Sequence, residues 1–175
     1  MFIEVDYYIN KAAYDTVNDT SYCGLQPYKL YTTLTIKTNN MIKRRKLKGG
    51  ARAWTKRIDL VFQKWVKLND TNKEGYGTCC TCSKPLHYKE ANAGHYQPRQ
   101  FRGTRWHEEN VRLQCIYCNQ WLAGAQYAFA KFLGFKKADE LEELSRVKVT
   151  FTDEEYADIY YKYKELILEL EATKV

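Results

Sequence analysis

The chain has 175 residues, 45% hydrophobic and 28% charged, and its 28 Lys and Arg against 21 Asp and Glu leave a formal net charge of +7. That is enough apolar material for one packed domain and excludes disorder along the whole chain. No apolar run approaches the roughly 18 residues of a bilayer crossing, and the first ten residues lack the basic start and apolar core of an export signal, so a cytoplasmic protein is expected.

Residues 1–50 form an N-terminal extension in which Phe2 to Ile9 and Tyr28 to Thr38 alternate apolar with polar groups, the pattern of two strands that would pair as a β-hairpin. The extension ends in a basic cluster at residues 43–48, which includes Lys43, Arg44, Arg45 and Lys46. Residues 51–72 then read as an amphipathic basic helix. Trp54, Ile58, Val61, Phe62, Trp65 and Leu68 recur at intervals of three and four, and Lys56 and Arg57 project from the other side. Charge follows the same division: residues 1–40 balance at −1, residues 41–70 at +8, residues 71–135 at +4 and residues 136–175 at −4. A basic centre of this kind is the footprint of a surface that meets phosphates, although a solvated helix face has the same composition.

Residues 73–135 carry the chemistry. Cys79-Cys80-Thr81-Cys82 and Cys115-Ile116-Tyr117-Cys118 supply two Cys-x2-Cys pairs, and two such turns complete a tetrahedron around Zn2+. Four thiolates leave no open position for water, so the zinc is expected to be structural, with Cys79, Cys82, Cys115 and Cys118 as ligands. Cys80 is a spare thiol beside Cys79, and His87 is a weaker competitor. Six cysteines without an export signal argue for metal and not for disulfides.

Between and after the pairs come His95, Asn110 and Asn119, in the order found in the HNH or ββα-metal nucleases. Phosphodiester hydrolysis needs a water, a base and a cation to stabilise developing negative charge. An imidazole at position 95 suits the base, Asn110 would brace the connecting loop, and the amide oxygen of Asn119 suits a hard ion such as Mg2+ or Mn2+. Gly94 stands where many such nucleases have Asp as a second metal ligand. The reading therefore stays open between His95 as a ligand, Glu109 or Glu108 swinging in, and a metal held mainly by Asn119, His95 and phosphate. Arg99, Arg102, Arg105 and Arg112 are candidate phosphate clamps, because guanidinium groups grip phosphate oxygens bidentately. His107 reads as a surface residue beside Trp106. The helix expected after Cys118, with Trp121, Leu122, Tyr127, Phe129 and Phe132, reads mostly as packing, with stacking on unpaired bases as the less favoured use.

Residues 136–175 form an acidic helical region. Thr152 and Glu155 make a capping box, and Tyr156, Ile159, Tyr160, Tyr163, Leu166, Ile167 and Leu170 form a stripe that either docks on the core or makes a dimer seam.

The stretch from Trp54 to Gly134 resembles the phage NinG (Rap) recombination proteins. The resemblance rests on a helix leading into Cys-x2-Cys, then Ala-Gly-His-Tyr, Arg-Trp-x-Glu-x-Asn-Val, Gln-Cys-x2-Cys-Asn and a Leu-x-Gly step. It implies an α+β fold with a zinc-stapled ββα-metal (HNH-like) core flanked by a basic N-terminal helix and C-terminal helices, similar in layout to phage endonuclease VII. It further implies a metal-dependent endonuclease selective for branched DNA such as Holliday junctions and D-loops, inside the host cell; the paired cuts that a junction needs point separately to a homodimer. Gly before His looks like that family's own habit. The alternatives are a zinc-stabilised, non-cleaving DNA-binding accessory module, favoured by Gly94, and a protein-interaction module assembled through the acidic C-terminal helix.

Overall fold

The computed structural model describes residues 49–173. The strands expected at Phe2–Ile9 and Tyr28–Thr38, and the basic side chains Lys43, Arg44, Arg45 and Lys46, lie outside the described residues. Among the described residues no helix is long and apolar enough to cross a membrane.

Helix α1, Ala51–Asn69, begins at Gly50, whose carbonyl accepts the amides of Ala53 and Trp54. The three-and-four spacing holds: Trp54, Ile58, Phe62, Trp65, Val66 and Leu68 are buried on one face. That face packs against α5, Asp153–Thr173, at the other end of the described chain, and α5 returns Tyr156, Ile159, Tyr163 and Ile167 to the same core. The rings interlock. Phe62 meets Tyr163 edge-on at 4.8 Å between centroids, and Trp54 stacks on Tyr156 at 6.5 Å. Each large apolar side chain so buried stabilises the fold by about 1.5–3 kcal/mol. The α5 stripe is thus covered by α1 of the same chain, which favours the docked helix over a dimer seam. Its N-terminus is the expected capping box: the Thr152 amide donates to Glu155 and the Glu155 amide to Thr152 Oγ1.

Two small antiparallel hairpins fill the middle. Strands β1, Tyr76–Thr78, and β2, Pro85–His87, form the first; β3, Ala91–His95, and β4, Val111–Cys115, form the second, with Ala91 opposite Cys115 and His95 opposite Val111. Ala93 and Val111 face the α1–α5 core, whereas Ala91, Leu113 and Cys115 join a second cluster with Cys79, Leu86 and Cys118. Asp70, just past α1, accepts the Leu113 amide at 2.8 Å and ties the long helix to β4. A short turn of helix, α2 (Arg102–Arg105), lies between β3 and β4. The fold is therefore a mixture of helices and small antiparallel sheets, as expected.

One expectation changes. A single helix does not follow Cys118. Tyr117–Trp121 forms a π turn, the backbone turns left-handed at Ala123, Gly124 and Ala125, and only then does α3, Gln126–Leu133, begin. Gly124 tolerates that conformation without strain, and it lets the chain reverse over the second hairpin. Gly134 separates α3 from α4, Phe135–Ser145.

Candidate metal centre and adjoining cleft

The two cysteine pairs meet. Cys79 and Cys82 sit in the β1–β2 turn, closed by the Ser83 amide donating to the Cys79 carbonyl, while Cys115 ends β4 and Cys118 lies in the π turn. Their four sulfurs lie within 4.8 Å of one another. The Cys82 and Cys115 sulfurs are 3.9 Å apart. A tetrahedron with Zn–S bonds of about 2.3 Å has edges of about 3.8 Å, so the set fits zinc. Cys80 and His87 are not in it: Cys80 is a separate thiol pushed upward in pKa by burial and by Cys79, and His87 lies on β2 between Tyr76 and Tyr88. Burial and the neighbouring Cys79 and Cys115 sulfurs raise the Cys82 thiol, and burial likewise raises Cys118. Burial would raise Cys79 too, but hydrogen bonds from the Cys115 backbone and from Thr81 bring it to about 6. A divalent ion held there would supply the charge that lets all four ionise together.

His95 closes β3. It is half-buried, and its Nε2 lies 3.0 Å from the Arg105 carbonyl oxygen. A carbonyl only accepts, so this contact puts the proton on Nε2 and leaves Nδ1 as a lone-pair site. Burial, then the Arg99 charge, push the imidazole down to about 4 despite the opposing pull of the Arg105 carbonyl and Asp59. The ring is neutral at physiological pH, the state that accepts a proton or binds a metal.

What holds the Arg105 carbonyl in place is Asp59. Its carboxylate takes Arg105 Nε at 2.9 Å and Nη2 at 2.6 Å, and also the Trp106 indole N–H at 2.9 Å. Arg105, a candidate phosphate clamp, has its guanidinium engaged by a carboxylate 46 residues away. Arg102 donates to the Tyr156 hydroxyl and Arg112 to the Glu108 carbonyl. Glu109 pairs with Lys137 at 3.0 Å and Glu108 with Lys162 at 3.2 Å, so both carboxylates bond to the C-terminal helices. Arg57 lies over the Trp54 ring, and Lys56 is exposed on α1. His107 is not the surface group expected: it is half-buried, with its pKa lowered by burial.

Asn110 is wholly buried and braces the loop between β3 and β4. Its Oδ1 accepts the Gln97 amide at 2.6 Å, and its Nδ2 donates to the Gln97 and Thr104 carbonyls. Asn119, one residue past Cys118, lines a cleft of about 140 Å³ with Gln63, Lys67, Asn92, Arg99 and Gln120. The cleft has cations and amides and no carboxylate. Arg99 links it to His95, since it lines the cleft and its charge acts on that ring. Among the described residues, the cysteines are the one group of three or more Cys, His, Asp or Glu placed to share an ion.

The profile of the family described as Bacteriophage Lambda NinG protein matches residues 32–173. The chain belongs to the NinG family. The NinG match extends beyond the Trp54–Gly134 stretch on both sides, so it takes in α4, α5 and part of the N-terminal extension as well as every described candidate residue. NinG proteins are phage proteins associated with recombination. No curated protein and no solved structure matches this NinG chain.

Three residues of the NinG site escaped the sequence reading. Asp59 is one of two acids between residues 41 and 70, a faint signal on an otherwise basic helix. Asn92 lines the cleft with a buried Nδ2 that has no hydrogen-bond partner among the described residues. Gln114 is wholly buried against Gly94, with Nε2 donating to the Gly124 carbonyl at 2.8 Å and to Thr81 Oγ1 at 3.1 Å. A β-carbon on Gly94 would collide with the Gln114 carboxamide. The glycine before His95 therefore reflects space already filled, and an Asp there would need a different partner beneath it.

Proposed function

We propose that this NinG-family protein is a divalent-metal-dependent endonuclease that cuts branched DNA in phage recombination. In this reading β3, β4 and the turn and helix after Cys118 form an HNH-like ββα-metal unit clipped by zinc. The observation that carries it is His95: a neutral imidazole, held at Nε2 by the Arg105 carbonyl, with Nδ1 left to take a proton from water. Arg99 and Lys67 attract the phosphate into the cleft, and Asn119 orients it there. Asn110 keeps the loop that carries Gln97 to Arg105 in register with the His95 strand. With Nδ1 reserved for the proton, the donor for Mg2+ or Mn2+ is the Asn119 amide oxygen, a sparse set that suits an ion retaining water and phosphate ligands; His95 as a metal ligand would exclude it as the base. When bound, that ion supplies positive charge for the leaving oxygen. A homodimer would supply the paired cuts that junction resolution needs.

The second reading, a zinc-stabilised accessory module that binds without cutting, is favoured by the absence of a carboxylate from the cleft lining, since Asp59, whose charge reaches His95, is already taken up by Arg105 and Trp106. Purified protein incubated with a synthetic four-way junction and Mg2+ or Mn2+ separates the two. Nicking that disappears in His95→Ala and Asn119→Ala, with junction binding retained, supports the endonuclease. Binding without nicking in either metal supports the accessory module.

A further inference from the structure

The surface beside the cleft is unusually apolar. Tyr117 is 62% exposed, Trp121 77% and Leu122 47%, and all three belong to one turn, since the Leu122 amide donates to the Tyr117 carbonyl at 3.0 Å. The same turn carries Asn119 and Gln120 into the cleft. Between Asn110 and Ala138 the sequence has Arg112, Lys131, Lys136 and Lys137 and no Asp or Glu. The cleft that Asn119 and Gln120 enter is also lined by the Lys67 and Arg99 cations. Exposed π faces on a turn that also borders a cationic cleft without a carboxylate complement a ligand that alternates anionic oxygens with flat apolar rings. A single DNA strand has that alternation, and stacking on aromatic side chains tolerates any base sequence.

We infer that Trp121, supported by Tyr117 and Leu122, stacks on unpaired bases of a DNA strand whose phosphates enter the Lys67–Arg99–Asn119 cleft. This rests on the nuclease reading for its purpose: it would assign recognition of the unpaired region of a branch to the turn that also carries Asn119. Stacking is independent of bond cleavage, so the two ideas can fail separately.

The tryptophans supply their own probe. Trp54, Trp65 and Trp106 are 1%, 7% and 5% exposed, leaving Trp121 as the solvent-facing indole among the chain's four. The full-length, zinc-loaded protein is titrated, without added Mg2+, with oligothymidylate and with an abasic oligodeoxynucleotide of equal length. Oligothymidylate is expected to quench Trp121 emission to saturation, and the abasic strand is not. Trp121→Ala should abolish the quench and weaken oligothymidylate binding about 5- to 100-fold, whereas Trp121→Phe keeps most of the affinity. Tyr117→Ala provides a second variant, with a smaller loss in the same direction.

Equal affinity for the abasic strand, or wild-type affinity in Trp121→Ala, overturns the inference. So does a Trp121 that acrylamide cannot quench in the free protein, because the surface is then covered by another part of the chain. Conversion of a dimer to a monomer in Trp121→Ala, with strand affinity unchanged, assigns the surface to self-association and overturns it too. Quenching by bases with no junction nicking in Mg2+ or Mn2+ leaves stacking standing and removes the endonuclease; nicking with unchanged strand affinity in Trp121→Ala removes stacking alone.

Discussion

Gly94→Ala tests whether Gln114 dictates the residue before His95. Gly94 has an ordinary strand conformation, so its requirement is space and not backbone freedom. The new methyl would fall inside van der Waals contact with Gln114 Oε1 and 3.0 Å from both Cβ and Cδ of the same side chain. The far end of a flexible glutamine would normally swing aside at small cost. This one is wholly buried and anchored through Nε2 to Gly124 and Thr81. Displacing it forfeits two hydrogen bonds of about 1 kcal/mol each. Crowding a packed site adds about 1–3 kcal/mol. The expected destabilisation is about 3–5 kcal/mol, measurable as a lower midpoint in urea and a melting temperature roughly 10–20 °C lower. Gln114→Ala should cost less than Gly94→Ala, and combining the two should recover most of the crowding term, a coupling that a double-mutant cycle measures directly. A Gly94→Ala protein with the midpoint of the parent would refute the steric account, as would additive effects in the cycle.

Cys82→Ser or Cys115→Ser should lose zinc and the cooperative melt of the central unit, because structural zinc contributes about 10–16 kcal/mol in small zinc peptides, as much as a whole domain's stability; Cys80→Ser should keep one zinc per chain by elemental analysis, and loss of zinc there would redraw the ligand set. Asp59→Ala should destabilise by about 2–3 kcal/mol in urea, since it strands the Arg105 guanidinium and the Trp106 N–H. An unchanged midpoint would mean that Asp59 does not position this loop. His95 has a folded pKa near 4 against 6.5 unfolded. The unfolded chain therefore binds the extra proton first as pH falls, so stability is full above about 6.5 and declines toward pH 4, by at most about 3 kcal/mol. His95→Gln, melted across that range without added Mg2+, should show a shallower decline; an identical slope would mean that the ring titrates normally.

Much of this was legible in residue order because the interactions involved are local or strongly typed. Trp54, Ile58, Phe62 and Trp65 announce a helix face through spacing alone, Thr152 and Glu155 form a cap within one turn, and paired thiols three apart have few purposes besides metal. The arginines were harder. Arg99 and Arg105 have the same chemistry and differ only in what the fold brings near them: Arg105 meets Asp59 across 46 residues, while Arg99 faces the cleft. The interruption at Ala123 to Ala125 was also hidden, because two of its three left-handed residues are alanines, which carry no turn signal. Gln114 resembles any strand polar residue until Gly94 is seen above it.

The four-cysteine cluster and the cleft form one mechanical piece. Thr81, between Cys79 and Cys82 of the cluster, accepts a hydrogen bond from Gln114; Gln114 fills the space under Gly94; and Gly94 precedes His95. From the other pair, Cys118 is followed at once by Asn119 and, within the same turn, by Trp121. A metal held by the four cysteines would thus constrain both sides of the cleft through contacts no longer than one side chain, whereas the α1–α5 core is held by aromatic packing without a cysteine. Slow zinc removal by a chelator should therefore act unevenly. The amides of β3 and β4 should gain solvent access, seen by hydrogen exchange, before the Trp54–Tyr156 core opens and its buried indole becomes quenchable by acrylamide. Simultaneous loss of both would show that the helices have no stability apart from the metal, and the separation argued from these contacts would be refuted.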